Sequence, residues 1–318
     1  MERRRNILDM IGNTPLLSLD QGLTDSNCNF FVKPEFINPS GSIKDRIAKY
    51  MIEKAEEEKI INPGYTIVEA STGNTAIAFS FVGKVMGYNV KIFMPAEVGE
   101  DEKLQTMNLY GAEVVTVDTE QQAVGQDSSV HGGSIEVLPR KKCLEFEEEN
   151  EQVWWARQFN NPHNSGAHRE TTAREILEQT EGKIDAFVAS VGTAGTLVGV
   201  GEALKKENPD IKIIGVEPAG FPWIQKGRGG INVIEGIAGG LLLDAIEIVD
   251  EVIVLKNEEA VEMANYLVQK EGLFCGISSG ANVLASLKTS QKYPGLKNIV
   301  TVLPDRRDRY FTVKRYTT

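Results

Sequence analysis

The sequence predicts an α/β protein made of two doubly wound domains, each with a mostly parallel sheet. Short apolar runs rich in β-branched residues alternate with segments of helical periodicity along nearly the whole chain, which is typical of βαβ units. A strand, a loop of small polar residues, a helix and a second strand occur twice in the same order. A length of 318 residues is long for one domain and sufficient for two, each with its own core.

The two repeats are predicted with the following elements. The first has a strand at residues 65–70, a loop at 71–75, a helix at 76–86 and a strand at 90–94. The second has a strand at residues 185–191, a Gly-rich loop, a helix at 196–206 and a strand at 212–216. Because the order is the same in both, we expect each repeat to form the centre of one domain.

Two connecting segments are predicted from composition. Residues 141–150 are highly charged, and we expect the chain to cross between domains near residues 150–165. Small and polar side chains dominate residues 119–133, where we expect a mobile loop.

The overall composition excludes several classes of protein. The formal net charge of −11, from 45 acidic and 34 basic residues, argues against a nucleic-acid partner, which would need a basic face. No apolar run approaches the length of a membrane span, and no apolar segment follows the basic residues 1–5 as it would in a signal peptide. Cys28, Cys143 and Cys275 are scattered, which predicts a reducing compartment, the cytoplasm, and no metal site.

Lys44 lies just after a Ser40-Gly41-Ser42 turn, at the start of a predicted helix. Most lysines are solvated surface residues, and that is the alternative for any single one. Here the turn fixes the direction of the chain and offers a helix cap. Burial lowers the pKa of a lysine amine in general, which allows such a residue to act as nucleophile and base near neutral pH.

Two loops that open helices are candidate anion sites, since free N–H groups at a helix N-terminus favour an anion. They are Ser71-Thr72-Gly73-Asn74-Thr75 and Gly192-Thr193-Ala194-Gly195-Thr196. The alternative for the first loop is a simple Ser/Thr cap. For the second it is a dinucleotide site with Glu217 on the ribose, but the glycine spacing is not GxGxxG. A lysine amine, a carboxylate site and a phosphate site are the parts that a pyridoxal 5′-phosphate (PLP) enzyme needs to act on an amino acid.

The same motifs carry a family resemblance. Residues 39–46, the two loops, Gly276-Ile277-Ser278-Ser279-Gly280 and Gly12-Asn13-Thr14-Pro15-Leu16 resemble the cysteine synthase/cystathionine β-synthase family, in order over about residues 8–310. The resemblance implies a fold-type II PLP enzyme, similar to the tryptophan synthase β subunit. It also implies a smaller N-terminal substrate-binding domain of residues 37–155 with 1–11, and a larger PLP-binding domain of residues 156–318 with 12–36.

The resemblance further implies the site residues. Lys44 is implied as the residue that bonds covalently to the cofactor and later moves the substrate Cα proton. The implied cofactor contacts are Lys44, Asn74 on the ring oxygen, Gly192, Thr193, Ala194, Gly195 and Thr196 on the phosphate, and Ser278 on the pyridine nitrogen. The implied substrate contacts are Ser71, Thr72, Gly73, Thr75, Gln158 and Gly236, with no metal. Family members carry glycine where Ala194 stands, and alanine keeps the N–H donor but restricts the backbone.

The role that the resemblance implies for Ser278 has a chemical consequence. A hydroxyl leaves the pyridine nitrogen largely neutral, which favours β-elimination over transamination or racemisation. The alternative for Ser278 is an N-cap of the helix predicted to begin near Ser279. Cys275, close by, is expected to be a small core residue rather than a nucleophile.

The implied activity is β-replacement on an O-activated L-serine, O-acetyl- or O-phosphoserine, with sulfide giving L-cysteine, by a homodimer. Cystathionine β-synthase activity, synthesis of a 2,3-diaminopropionate precursor with an amine nucleophile, and cysteine desulfhydration remain open. A non-catalytic module that docks the C-terminal peptide of a serine acetyltransferase is a different class of function. The presence of Lys44, Asn74, Gln158 and Ser278 argues against it.

Three arginines follow the last predicted strand, at Arg306, Arg307 and Arg309. An ion-pair network or a dimer contact is one interpretation. An anion site for an acidic or phosphorylated substrate is the other, since Arg grips phosphate and carboxylate. This ending and His131-Gly132-Gly133 resemble family members that make 2,3-diaminopropionate precursors.

Overall fold

The computed structural model describes residues 6–19, 27–96, 102–118, 137–220 and 247–312. The chain divides into two compact units. Unit 1 comprises Met1–Ile11 and Lys44–Asn164, and unit 2 comprises Gly12–Ile43 and Ser165–Thr318. Among the described residues no helix has the length and apolar character that a membrane span requires.

The elements are as follows. The strands are β1 (Leu17–Ser18), β2 (Asn29–Pro34), β3 (Thr66–Ala70), β4 (Asn89–Pro95), β5 (Glu113–Val117), β6 (Val153–Trp155), β7 (Ala186–Ser190), β8 (Lys212–Pro218), β9 (Glu251–Leu255) and β10 (Asn298–Leu303). The α-helices are α1 (Lys44–Glu57), α2 (Asn74–Val85), α3 (Glu102–Leu109), α4 (Val137–Glu148), α5 (His163–Ala167), α6 (Ala173–Gln179), α7 (Gly195–Glu207), α8 (Asn257–Glu271) and α9 (Ile277–Lys292). A π-helical turn (His168–Thr172) joins α5 to α6, and short 3₁₀ turns occupy Ile7–Met10, Glu35–Ile37 and Arg307–Tyr310.

Unit 1 contains a four-stranded parallel sheet in the order β5-β4-β3-β6. The chain moves from β3 outward through β4 to β5 and then returns to place β6 on the other side of β3. The strand order therefore reverses between β3 and β6, and ligands of doubly wound sheets bind beyond the carboxyl ends of the strands at such a switch point.

Unit 2 contains a six-stranded sheet in the order β1-β2-β10-β7-β8-β9, parallel except for the antiparallel pair of β1 and β2. Alternate residues of β7 point to opposite faces. Ala186 and Val188 enter one apolar cluster, and Phe187 and Ala189 enter another. Both faces of this sheet are thus covered, as in a doubly wound fold. Its order reverses between β7 and β10.

The α/β class with mostly parallel sheets is confirmed in both units, and the predicted elements of both repeats are present with small shifts at their ends. No end shifts by more than two residues. The shift that matters for the site concerns α2, which begins at Asn74 rather than at residue 76 and has Gly73 as its N-cap. Asn74 and Thr75 are therefore helical residues and not loop residues.

The boundaries of the units lie slightly later along the chain than the predicted residues 37 and 156. Residues 35–43 stay with unit 2 because their hydrogen bonds lead there. The Asn38 amide oxygen accepts from Gly12 N at 2.8 Å, and Ile43 N donates to the Pro304 carbonyl at 2.8 Å. The division of substrate and cofactor binding between the units stays a prediction.

Candidate active site

Lys44 is the first residue of α1, and it is half-buried. Backbone hydrogen bonds fix the turn before it, from Gly41 N to Asn38 O at 2.7 Å and from Ile43 N to Pro304 O at 2.8 Å. Gly41 has φ +92°, in the left-handed region that glycine adopts without steric cost. The turn expected from the sequence therefore delivers the chain into α1 with Lys44 at the helix start.

The loop after β3 ends in the open N-terminus of α2. The N-cap is Gly73, without a side-chain cap, so the simple Ser/Thr cap is wrong for this loop. Ile77 N makes the first helical bond, to Gly73 O at 3.2 Å, and the N–H groups before it have no acceptor within the helix. Among the described residues outside its chain neighbours, no heavy atom lies within 4 Å of a Cβ built on Gly73. The geometry provides room for an anion.

Gln158 follows β6 and reaches the start of α2 at the switch point of unit 1. Thr75 Oγ1 donates to Gln158 Oε1 at 2.6 Å, and Gln158 Nε2 donates to Ala70 O at 3.2 Å. The buried Gln158 carbonyl accepts from Asn164 Nδ2 at 2.7 Å. Two residues predicted to bind the substrate carboxylate are thus brought together in one network.

Glu69, which the sequence did not single out, fixes the position of Gln158. It is 1% exposed. Its Oε1 accepts from Ala70 N at 2.8 Å and from Trp155 Nε1 at 3.1 Å, while Oε2 accepts from Gln158 N at 2.9 Å. Burial raises the pKa of Glu69 to about 6, and these hydrogen bonds and the charge of Arg140 partly oppose the rise.

The residue before Gln158 has a left-handed backbone. Arg157 has φ +54°, which is uncommon for a residue other than glycine. Its guanidinium pairs with Glu147 and stacks over the Trp155 ring at 4.6 Å from the centroid. A non-glycine residue in this region costs on the order of 1–3 kcal/mol. These contacts hold the strained turn that presents Gln158.

The loop after β7 forms a second open helix N-terminus. Ala194 is the N-cap of α7, with φ +64° and ψ −8°, and no side chain caps the helix. Thr193 Oγ1 accepts from Gly195 N at 3.4 Å, and the first helical bond runs from Val198 N to Ala194 O at 2.9 Å. The loop therefore keeps the left-handed conformation of a glycine although alanine occupies the position.

Ser278 is the second residue of α9 and is 5% exposed. The N-cap is Gly276, so the interpretation of Ser278 as an N-cap is wrong. One turn later, Asn282 Oδ1 accepts from Ser190 N at 2.7 Å and Nδ2 donates to Val302 O at 2.9 Å. Asn282 therefore ties the first turns of α9 to the ends of β7 and β10, and the sequence did not reveal it.

The cysteines are buried and free. Burial raises the pKa of Cys275 to about 12, which fits a core residue and not a nucleophile. The described residues contain no group of three His, Cys, Asp or Glu side chains placed to hold a metal.

The three arginines after β10 all contact protein groups, Arg306 in an ion pair and Arg307 and Arg309 in hydrogen bonds to uncharged acceptors. Arg306 pairs with Asp308 at 2.7 Å, Arg307 Nη2 donates to Asn265 Oδ1 at 2.7 Å, and Arg309 donates to the Ser40 carbonyl. Gly236, residues 119–133 and His131-Gly132-Gly133 lie outside the described residues.

The donor groups in each unit fit PLP. In unit 2 the N–H groups before Val198 and the hydroxyls of Thr193 and Thr196 match the acceptors of a phosphate. The Ser278 hydroxyl can donate to a pyridine nitrogen. In unit 1 Lys44 supplies an amine at a fixed helix start, and the open end of α2 matches a carboxylate.

The sequence matches the family described as "Pyridoxal-phosphate dependent enzyme" over residues 7–305. A protein named cysteine synthase from Staphylococcus aureus is 40% identical over 315 residues, covering 98% of this chain and 97% of that protein. The solved structure of O-acetylserine sulfhydrylase isoform 3 from Entamoeba histolytica has TM-score 0.89 and 37% identity, covering 100% of this chain and 92% of that one. A hydrogen sulfide-producing enzyme from Fusobacterium nucleatum has TM-score 0.86 and 34% identity, covering 98% and 99%.

Collinear motifs, two doubly wound units and similarity over nearly the full length agree. This chain belongs to the cysteine synthase/cystathionine β-synthase family of PLP-dependent enzymes.

Proposed function

We propose that this protein catalyses β-replacement on an O-activated L-serine, O-acetyl- or O-phosphoserine, with sulfide as nucleophile and L-cysteine as product. The observation that carries this proposal is the similarity to proteins named cysteine synthase over 98% of the chain. Two features of the structure support the proposal. Lys44 lies at the start of α1, and in each unit a helix N-terminus without a side-chain cap follows a parallel strand.

In unit 1 we assign the substrate carboxylate to the open end of α2. The N–H groups of residues 74–76 and the hydroxyls of Ser71 and Thr72 are its donors. The Gly73 N–H donates to Ser71 Oγ at 3.3 Å, and Gly73 contributes space because it has no side chain. The Thr75 hydroxyl donates to Gln158, so the contribution of Thr75 is its backbone N–H. Gln158 Nε2 has two N–H groups, and the one not directed at Ala70 O is the donor that we assign to the carboxylate. Asn74 is assigned to the ring oxygen of the cofactor.

In unit 2 we assign the cofactor phosphate to residues 192–196, through their N–H groups and the hydroxyls of Thr193 and Thr196. Ser278 is assigned to the pyridine nitrogen. Gly236, outside the described residues, stays a predicted substrate contact.

The bound cofactor supplies an electron sink for the negative charge that develops at the substrate Cα. Lys44 Nζ takes the Cα proton, and the carboxylate donors orient the Cα–H bond toward it. Ser278 donates a hydrogen bond without protonating the ring nitrogen, which limits delocalisation of that charge and favours departure of acetate or phosphate from Cβ. Sulfide then adds at Cβ, and Lys44 returns the proton to Cα.

A product assay tests this proposal. PLP-loaded protein is mixed with sulfide and either O-acetylserine, O-phosphoserine or serine, and L-cysteine is quantified. Cysteine formation from one of the two esters well above that from serine supports the proposal. No cysteine from either ester, with cofactor bound, contradicts it.

Gly73→Ala tests the carboxylate assignment. An added methyl finds open space, so we expect an unchanged free energy of unfolding. The methyl occupies the space assigned to the carboxylate, so KM for the serine ester should rise on the order of tenfold or more, equivalent to the loss of about 1.4 kcal/mol of binding. Gly295→Ala is the control, since Gly295 is exposed and, as at Gly73, no described heavy atom beyond its neighbours lies within 4 Å of an added Cβ. An unchanged KM in Gly73→Ala would refute the assignment.

A second candidate is release of sulfide from cysteine, the reverse of the last step. The 34% identity to the Fusobacterium nucleatum protein named a hydrogen sulfide-producing enzyme favours it. The two are separated by offering L-cysteine alone and measuring sulfide. Sulfide release faster than cysteine synthesis under matched conditions would make this the main activity.

We further propose that the protein is a homodimer in the cytoplasm. We also propose that the C-terminal carboxylate of a serine acetyltransferase peptide binds the carboxylate donors of unit 1 and competes with substrate there. Free, buried cysteines support a reducing compartment. Light scattering of the purified protein tests the dimer, and competition of the peptide with the serine ester tests the partner.

A further inference from the structure

His168 is a fully buried histidine whose ring lies between two threonine hydroxyls of unit 2. Its Nδ1 is 3.0 Å from Thr172 Oγ1, and its Nε2 is 3.2 Å from Thr196 Oγ1. His168 and Thr172 are both 0% exposed. Thr196 belongs to the loop that we assign to the cofactor phosphate, so a buried titratable group contacts that loop from behind.

The backbone around His168 is built to place the ring there. Residues 168–172 form a π-helical turn, a rare conformation that is frequent at functional sites. α7 approaches this turn at Gly199, where an added Cβ would lie 2.1 Å from Ser165 O and 3.0 Å from His168 Cβ. Because only a glycine permits this distance, the turn and the first turns of α7 are held in one fixed arrangement.

The hydroxyl of Thr196 has one hydrogen, and its direction depends on the ring. If Nε2 lacks a hydrogen, the hydroxyl donates to the ring and presents lone pairs to the phosphate, which is repulsive. If Nε2 carries a hydrogen, the ring donates to Thr196 Oγ1 and the hydroxyl hydrogen is left to donate elsewhere.

We propose that His168 is a positioning residue that donates from Nε2 to Thr196 Oγ1 and so directs the Thr196 hydroxyl hydrogen at the phosphate of the cofactor. In this tautomer Nδ1 is an acceptor, and Thr172 Oγ1 donates to it. This inference rests on the proposed assignment of residues 192–196 to the phosphate. His168 acts through Thr196 and does not itself touch the cofactor.

Three substitutions separate positioning from simple packing. The amide nitrogen of glutamine reaches about as far as Nε2 and that of asparagine only as far as Nδ1. His168→Gln should therefore keep the donor to Thr196, and His168→Asn should lose it. Thr172→Val, nearly isosteric, removes the hydroxyl that donates to Nδ1 and leaves that buried acceptor unpaired in the proposed tautomer.

The experiment measures the PLP dissociation constant of apo-protein by fluorescence titration and the ³¹P resonance of the bound cofactor. We expect His168→Asn and Thr172→Val to weaken PLP binding about 5- to 10-fold, the value of one hydrogen bond, and to shift the resonance. His168→Gln should stay within about threefold of the original protein by the same scale. Thermal unfolding verifies folding, and Thr172→Val serves alone if His168→Asn does not fold.

A double-mutant cycle with Thr196→Ala decides whether the effect passes through Thr196. In that background His168→Asn should cause no additional loss of affinity. Additive losses of PLP affinity in the double mutant would overturn the proposal. So would an affinity equal to that of the original protein in both His168→Asn and Thr172→Val. Either result would leave the phosphate assignment intact. An unchanged affinity in Thr196→Ala alone would instead refute the assignment of the Thr196 hydroxyl to the phosphate, and the proposal with it.

Discussion

Glu69 accepts hydrogen bonds from three N–H donors on two oxygens in a buried site, and its carboxyl group resists ionisation. The pKa of about 6 lies above the ordinary value of 4.5 because burial outweighs the three hydrogen bonds. A raised folded-state pKa means that the folded protein binds this proton more tightly than the unfolded chain. Tighter binding of this proton stabilises the folded protein by about 2 kcal/mol below pH 4.5. That stabilisation is lost as the pH rises through about 6. Among the described residues, Arg140 and the Cys143 thiol are titratable groups that interact electrostatically with this carboxyl.

Glu69→Gln removes this titration. Between pH 4.5 and 7, the free energy of unfolding of the original protein should fall relative to that of the variant by about 2 kcal/mol. Glutamine has one acceptor oxygen, so its NH₂ group would face either the Gln158 N–H or the donors from Ala70 and Trp155. We therefore also expect a higher KM for the serine ester at every pH. Urea denaturation across this pH range tests the first expectation, and parallel pH profiles in both proteins would contradict it.

The left-handed backbone of Ala194 has a steric free-energy cost that glycine would not have. A non-glycine residue in this region costs about 1–2 kcal/mol, while glycine gives back about 0.4–1 kcal/mol through the unfolded chain. Ala194→Gly should therefore raise the free energy of unfolding by on the order of 0.5–1 kcal/mol, with PLP affinity unchanged because the N–H is kept. Gly272→Ala is the mirror control, since Gly272 ends α8 at φ +68° with no described atom near its Cβ beyond its neighbours. Gly272→Ala should lower the free energy of unfolding by a similar amount. A lower free energy of unfolding in both variants would contradict this explanation of Ala194.

The individual residues that the sequence revealed are those with a local signature. A Gly-containing turn marks Lys44 and small polar residues after apolar runs mark the two loops, while the family resemblance supplies their predicted roles. Glu69, His168 and Asn282 were missed, since each is a polar residue in an ordinary strand or helix segment. Their partners lie far along the chain, as in the contact between Asn282 and Ser190. Only the folded structure shows that these polar groups are buried and paired.

The packing of α7 against the π-helical turn rests on Gly199. An added methyl there meets the Ser165 carbonyl oxygen at 2.1 Å, a backbone atom that cannot rotate away. Gly199→Ala should therefore lower the free energy of unfolding by about 1–3 kcal/mol, although alanine favours the helix by about 1 kcal/mol. It should also weaken PLP binding, because the loop of residues 192–196 opens the same helix.

Gly201→Ala is the matched control in the same helix. Its nearest contact is the flexible Ile213 side chain at 3.2 Å, so the change should be small or stabilising. Equal effects of the two substitutions on denaturant midpoints would show that the close approach of α7 has no special importance.

Helix and strand positions were predictable because apolar periodicity is local, whereas the helix starts depended on details of capping. Gly73 and Ala194 are N-caps without side-chain caps, so no Ser/Thr signal marked the first residue of α2 or α7. The π-helical turn between α5 and α6 has no signature in the sequence at all. It forms where the chain meets Gly199 of a helix that follows later.

The assembly of each unit from separate stretches of chain could not be inferred from composition or periodicity. β2 lies in the sheet of unit 2 because residues 29–34 pair with residues 298–303 in parallel. Such a pairing depends on side-chain packing across most of the chain length, and only the family resemblance pointed to it. The two switch points followed from strand order once the sheets were known, and they explain the positions of the candidate residues that follow β3, β6 and β7.

The covalent bond that we assign to Lys44 and the cofactor can be located directly. Protein loaded with PLP is reduced with borohydride and digested, and the pyridoxyl group is located by mass spectrometry. We expect the pyridoxyl group on Lys44 in nearly every molecule and no stoichiometric adduct in Lys44→Ala. A pyridoxyl group fixed at another lysine, or spread thinly over surface lysines, would contradict it.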